Sequence, residues 1–255
     1  MKKLKMLSLF FVGVLVLVFA GITVANELST RPRAEVVDVA YDFPIKPGTD
    51  EWKKFTSYGE MLTATQIPDK MLKSMSTRAL VKTCLDYPNS GSIGAHNSLQ
   101  QGLEAIVSGF NGLQELLKRD DAGIELLAQY RLVNEEIKIS IKNIDSGDSL
   151  NWYYFKHTLI EMLLAQESIR SNMSEGDEKA LIKECLNNFN LKKGRQDIYN
   201  ITSSESMILI MKKVLEKRKA GPLIDEKQAV ISDSGMDLFN NVDQIIQQSE
   251  NFISK

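Results

Sequence analysis

Apolar residues in this chain recur in short bursts at three- and four-residue spacing, and nearly every burst is closed by a capping or breaking residue. That rhythm admits little besides a stack of short amphipathic helices. Trp52, Phe55 and Leu62 share one face of a segment expected to run from Glu51 to about Thr65 behind Asp50. Pro68 opens a short helix to Met75, because the missing N–H of proline costs nothing in a first turn. Ser76 caps the next segment, Thr77 to about Tyr87, and Pro88 stops it. From Asn97 or Ser98 a helix runs to about Phe110 with Leu99, Leu103, Ile106 and Val107 on one stripe. Asn111 and Gln114 have the spacing of a capping box for Gly112–Lys118. Asp120 or Asp121 then opens a helix through Tyr130.

The segment 133–150 is ambiguous. Ile137, Ile139 and Ile141 alternate with Lys138, Ser140 and Lys142 as in a strand, and Asp145–Ser149 reads as a loop. Helices are expected again at Leu150–Ser171, Gly176–Asn188, Ser203–Lys219 and Asp233–Ile253, with Gly221-Pro222 between the last two. The reading is an all-α chain of short antiparallel helices over 51–255, with candidate halves 51–132 and 150–255. One octapeptide recurs. Ala79-Leu80-Val81-Lys82-Thr83-Cys84-Leu85-Asp86 matches Ala180-Leu181-Ile182-Lys183-Glu184-Cys185-Leu186-Asn187, the mark of a repeated helical unit, as in a HEAT-like α-solenoid.

The first residues carry an address. Lys2, Lys3 and Lys5 precede an uncharged run from Met6 to Ala25 that closes on Thr23-Val24-Ala25. A basic start, an apolar centre and small residues at the exit are the parts of a secretory signal peptide, here cut after Ala25. If it were retained, residues 6–25 would be long enough to anchor the chain in a membrane. Residues 26–50, with Pro32, Pro44, Pro47 and Gly48, read as an extended tether or at most an edge strand. The full chain has a formal charge of −2, and losing three lysines makes the mature chain more acidic. It therefore has no bulk attraction for nucleic acid or anionic lipid, and a membrane enters only through an uncleaved N-terminal segment. Cys84 and Cys185 could pair in an exported protein, but equivalent places in two repeats would give each its own core.

From Trp52 to Tyr130 the chain resembles a group of uncharacterised exported bacterial helical proteins. The residues carrying the likeness include Gln66-Ile67-Pro68, Met75-Ser76-Thr77, Tyr87-Pro88, Asn97–Gly102, Phe110–Leu116 and Asp121-Ala122-Gly123. The resemblance implies export and a HEAT-like helical fold, and it brings no activity, cofactor or catalytic residue. His96 stands where such sequences usually carry an aromatic residue.

Chemistry-bearing motifs are sparse. His157 and Glu161, four residues apart, read as a pair on a helix surface, with Glu167 farther along; no metal-binding set forms around them. Gly91-Ser92-Ile93-Gly94 departs from both a nucleophile elbow and a phosphate loop. The basic stretch Lys212, Lys213, Lys217, Arg218 and Lys219 suits the negative end of a helix. Trp152, Tyr153, Tyr154 and Phe155 form the densest aromatic group, and the first three are the candidate partner-binding residues. No catalytic residue, cofactor or metal is assigned. The function expected is a binding or scaffolding module at or outside the cell envelope, recognising a protein or peptide. The alternative is an exported hydrolase.

Overall fold

Two helices with long, fully buried stretches organise the molecule. The computed structural model describes residues 36–140, 148–194, 204–224 and 230–255, with the backbone alone at 137, 139–140 and 148–154. Within these residues twelve α-helices and two 3-10 segments form, and the bridges Val37–Met75 and Ile224–Val230 are isolated, so no sheet exists among the described residues. Val37–Lys255 is one compact unit. The signal segment, the proposed cleavage point after Ala25 and the repeated-isoleucine register beyond Ser140 lie outside the described residues.

The helices are α1 (Tyr58–Ala64), α2 (Asp69–Ser74), α3 (Thr77–Leu85), α4 (Leu99–Gly109), α5 (Asn111–Leu116) and α6 (Ala122–Ser140). They continue as α7 (Asp148–Leu164), α8 (Glu167–Arg170), α9 (Glu175–Lys193), α10 (Glu205–Lys217), α11 (Gly235–Asn240) and α12 (Val242–Ile253). Side-chain caps set several starts: Ser57, Ser76, Ser98, Ser174 and Ser234 each accept the N–H three residues on. Ser174 completes a capping box with Asp177.

α7 is buried without interruption from His157 to Ala165, and α10 from Ser206 to Lys212, so neither presents a solvent face there. α7 packs on α3, α4, α6, α8 and α10, while α10 packs on α9, α11 and α12 as well. A second focus is aromatic: Tyr87 stacks on Phe110 with centroids 4.1 Å apart, and Phe43 leans on both. Phe43 brings the extended segment with it, since Val37 donates to Ser74, Ser76 donates back to Val37, and Tyr41 donates to the Thr83 hydroxyl.

Several boundaries differ from the sequence expectation. The helix expected over Glu51–Thr65 breaks: Trp52–Lys54 is a 3-10 turn, Phe55 is extended, and Ser57 restarts the helix. Asn111 is not a cap. Its side chain accepts from Ile67 N–H and donates to Ile67 C=O, while Gln66 bonds Gly109 and Asn111 in return. Gln114 instead reaches back to the Val107 and Ser108 carbonyls. The ambiguous residues 133–140 continue α6 as helix. The span Leu150–Ser171 is cut at Gln166, which is extended, and Asp233–Ile253 is cut between Asn240 and Val242. Cys84 and Cys185 are both free and fully buried, one in α3 and one in α9.

Candidate functional site

Polar residues at core positions of three helices meet at one point inside the molecule. Tyr130 and Asn134 are one turn apart on α6, His157 and Glu161 on α7, and Asn188 and Lys192 on α9. The Tyr130 hydroxyl donates to Glu161 Oε1 at 2.7 Å, and Asn188 Nδ2 donates to the same hydroxyl at 2.9 Å. Asn188 Nδ2 also donates to Asn134 Oδ1 at 2.6 Å, and His157 Nε2 lies 3.1 Å from that oxygen. Ser206, from α10, donates to Glu161 Oε2, and Lys192 Nζ is 3.5 Å from Oε1.

The expected surface pair of His157 and Glu161 is thus corrected: they are 3% and 0% exposed. Burial in particular, with Lys192 and Lys156 adding to it, holds the His157 pKa well below 6.5, so the ring is neutral. Because Asn134 Oδ1 accepts, Nε2 carries the proton, and Nδ1 has no partner among the described residues. Burial and the Glu161 charge push the Tyr130 and Cys185 pKa values up, so both groups stay protonated. Glu161 thereby keeps its donors, and the network is a sealed, nearly satisfied knot tying α6, α7, α9 and α10.

A second group of charges lies toward the surface. Glu178 on α9 is fully buried and takes Lys217 at 2.9 Å and the Arg218 Nε, both from the end of α10. Lys212, 3% exposed, spans Glu216 at 2.6 Å and Asp233 at 2.7 Å, and Lys213 reaches the other Asp233 oxygen. The basic stretch therefore does more than face a helix dipole: it ties α10 to α9 and to the segment before α11. These pairs hold the Asp233 carboxyl below its ordinary range, overriding the upward push of its burial.

Against this framework opens a cleft of about 720 Å³, a volume typical of small-ligand sites. One wall is the edge of α10 carrying Glu205, Leu209, Lys213 and Lys217. The break between α7 and α8 supplies Met162, Gln166 and Arg170, and Ser98–Gln100 close the rim at the start of α4. Gln166 donates to Gln100 at 3.2 Å across that rim.

Two desolvated residues of the cleft are short of partners. Arg170, 3% exposed, gives its Nη2 to the Ala165 carbonyl at the end of α7, but its Nε and Nη1 meet no acceptor among the described residues. An orphaned buried donor costs about 1–3 kcal/mol, and more when charged. Glu205 is half-buried, burial raises its pKa, and no donor among the described residues reaches its carboxylate. Gly235 packs so closely on it that a Cβ there would lie 3.0 Å from Oε2.

The aromatic candidates Trp152, Tyr153 and Tyr154 fall on α7, where their side chains lie outside the described residues; Phe155 is half-buried against the core. His96 is exposed, and Gly91–Gly94 form part of a 3-10 turn facing the Phe155 ring. Among the described residues no group of three or more His, Cys, Asp or Glu could hold a metal. No described helix is long and apolar enough to cross a membrane. Neither Arg170 nor Glu205 stands out in the sequence, since the cleft is assembled from four separated segments. Compared with known proteins, the chain matches no family model, no curated protein and no solved structure.

Proposed function

We propose that this chain is an exported helical binding module that holds a small polar ligand in the cleft between α4, α7, α8 and α10. The observation carrying this reading is the pair of desolvated, unpartnered charges, Arg170 and Glu205, in the walls of an open cleft. Folded proteins rarely leave such groups unsatisfied without a use for them. Export rests on the basic, apolar and small-residue pattern up to Ala25 and on the likeness over 52–130 to exported bacterial helical proteins. A HEAT-like repeat is supported by the matched octapeptides, which both lie on serine-capped helices and bury their cysteines completely.

Hydrolysis needs an acid–base group in reach of substrate and water. Glu161 and His157 are walled off from both, which weighs for binding over the hydrolase alternative. The test is thermal denaturation of residues 26–255 with a panel of amino acids, short peptides, sugars, dicarboxylates and nucleotides. It is repeated on Gln100→Trp, which plugs the rim at an exposed position. Stabilisation of the wild type by one class, lost in the variant, supports the reading. No stabilisation, or equal stabilisation of both proteins, rejects it.

A further inference from the structure

Resting on the cleft as the binding site, we infer that its ligand is a small organic cation, an ammonium group on an apolar body, and that Glu205 receives the ammonium. The sign follows from which charges lining the cleft are already engaged. Lys213 is held by Asp233 at 2.5 Å and Lys217 by Glu178 at 2.9 Å. Arg170 is 3% exposed within the wall, and the charges of Glu178, Glu167 and Glu216 support its own. Asp233 and Glu216 take Lys212 at 2.7 and 2.6 Å. Two lining carboxylates, Glu167 and Glu205, have no ion pair or hydrogen bond among the described residues. Glu167 is exposed, so water solvates it. Glu205 is half-buried, and that burial pushes its pKa up. The unmet demand of the cleft is a cation at Glu205.

The surroundings of Glu205 favour an organic cation over a metal. Ser206, the next residue, donates to Glu161 Oε2 and so seats the start of α10 against α7. Met162 and Ala165 follow Glu161 in the chain, and Leu209 lies one turn beyond Glu205 on α10. Together with Leu99 they give the cleft its apolar lining. A metal ion needs several oxygen or nitrogen ligands, and among the described residues no group of three or more His, Cys, Asp or Glu could hold one. An ammonium pairs with a single carboxylate and leaves its other N–H groups to water. Its apolar body then covers the lining that a bare ion would leave wet.

Calorimetric titration of residues 26–255 with phenethylamine, 2-phenylethanol and 3-phenylpropionate tests this, because the three share one skeleton and differ in charge. The amine should bind about tenfold or more tightly than the alcohol, and the acid more weakly than either, since only the amine makes the charge-assisted contact. Glu205→Gln should bring the amine down to the level of the alcohol and leave the alcohol unchanged. Amine affinity in the wild type should hold above the folded pKa of Glu205, which lies above 4.5, and fall as the carboxylate protonates beneath it. That fall should vanish in Glu205→Gln. Alcohol or acid binding as tightly as the amine, or a Glu205→Gln loss common to amine and alcohol, overturns the inference. The first of these comparisons uses the wild type alone and stands even if the variant does not fold. A different ligand class that binds wild type and not Gln100→Trp, with no amine binding, overturns the cation assignment but spares the cleft. No ligand of any class overturns both.

Discussion

Replacing Lys192 by Met removes the cation from the sealed polar knot and leaves the Glu161 carboxylate, 0% exposed, inside the protein without it. Breaking a buried ion pair from one side costs about 3–5 kcal/mol, because the remaining charge keeps its desolvation penalty. Glu161 still accepts from Tyr130 and Ser206, so the loss falls toward the lower end, about 3 kcal/mol. With a urea dependence of about 2 kcal/mol/M for a chain of this size, the midpoint drops by about 1.5 M. Glu161→Gln alone removes the anion from the same pair. The double variant Glu161→Gln/Lys192→Met carries no buried charge at this point and should recover about 2–3 kcal/mol of the summed losses. Urea unfolding of the four proteins, followed by far-ultraviolet circular dichroism at neutral pH, supplies the cycle. Additivity within about 0.5 kcal/mol would refute the idea that these two charges are held as one unit.

His157 gives a pH signature: its folded pKa lies below the unfolded value of 6.5, so the unfolded chain binds the extra proton. Stability should hold above about pH 6.5 and fall by up to about 1.4 kcal/mol per unit beneath it, with His157→Gln flattening that slope in urea titrations. Gly102→Ala should destabilise by about 3 kcal/mol or more, because its Cβ would meet the Ile93 carbonyl oxygen at 2.0 Å. Gly176→Ala, open to solvent in α9, should instead gain about 0.5–1 kcal/mol; thermal denaturation separates the two signs. Lys219 is held at φ 51 behind α10, so Lys219→Gly should raise stability by about 1 kcal/mol in the same assay. Cys84 and Cys185 should both titrate with a thiol reagent in denaturant and neither at a comparable rate in the native protein; a single disulfide by mass would contradict the buried free thiols.

The helical layout was legible because apolar spacing and caps are local signals. Ser76 marks its helix in the sequence as plainly as in the structure, and the all-α class follows from such segments. The boundaries missed are those where tertiary partners compete. Asn111 looks like a cap and is claimed by Ile67, and 133–140 alternates like a strand but is carried on as helix, with Val133 and Asn134 buried in α6. The polar knot left a trace that could have been read: three i, i+4 polar pairs occupy positions where an apolar stripe is expected. Each pair alone looks like surface decoration. Arg170 and Glu205 left none, since a cleft whose walls are far apart in sequence has no local signature.

The central claim is that a small polar ligand enters the cleft beside α10, and an amide NMR titration with whichever class of the panel stabilises the wild type tests it most directly. The account predicts shifts at Ser98–Gln100, Ala165–Arg170 and along α10 from Glu205 to Lys217, saturating together. Shifts gathered instead on the exposed Ile124 and Leu132 of α6, or no saturable shifts under conditions where the protein is folded, would contradict it.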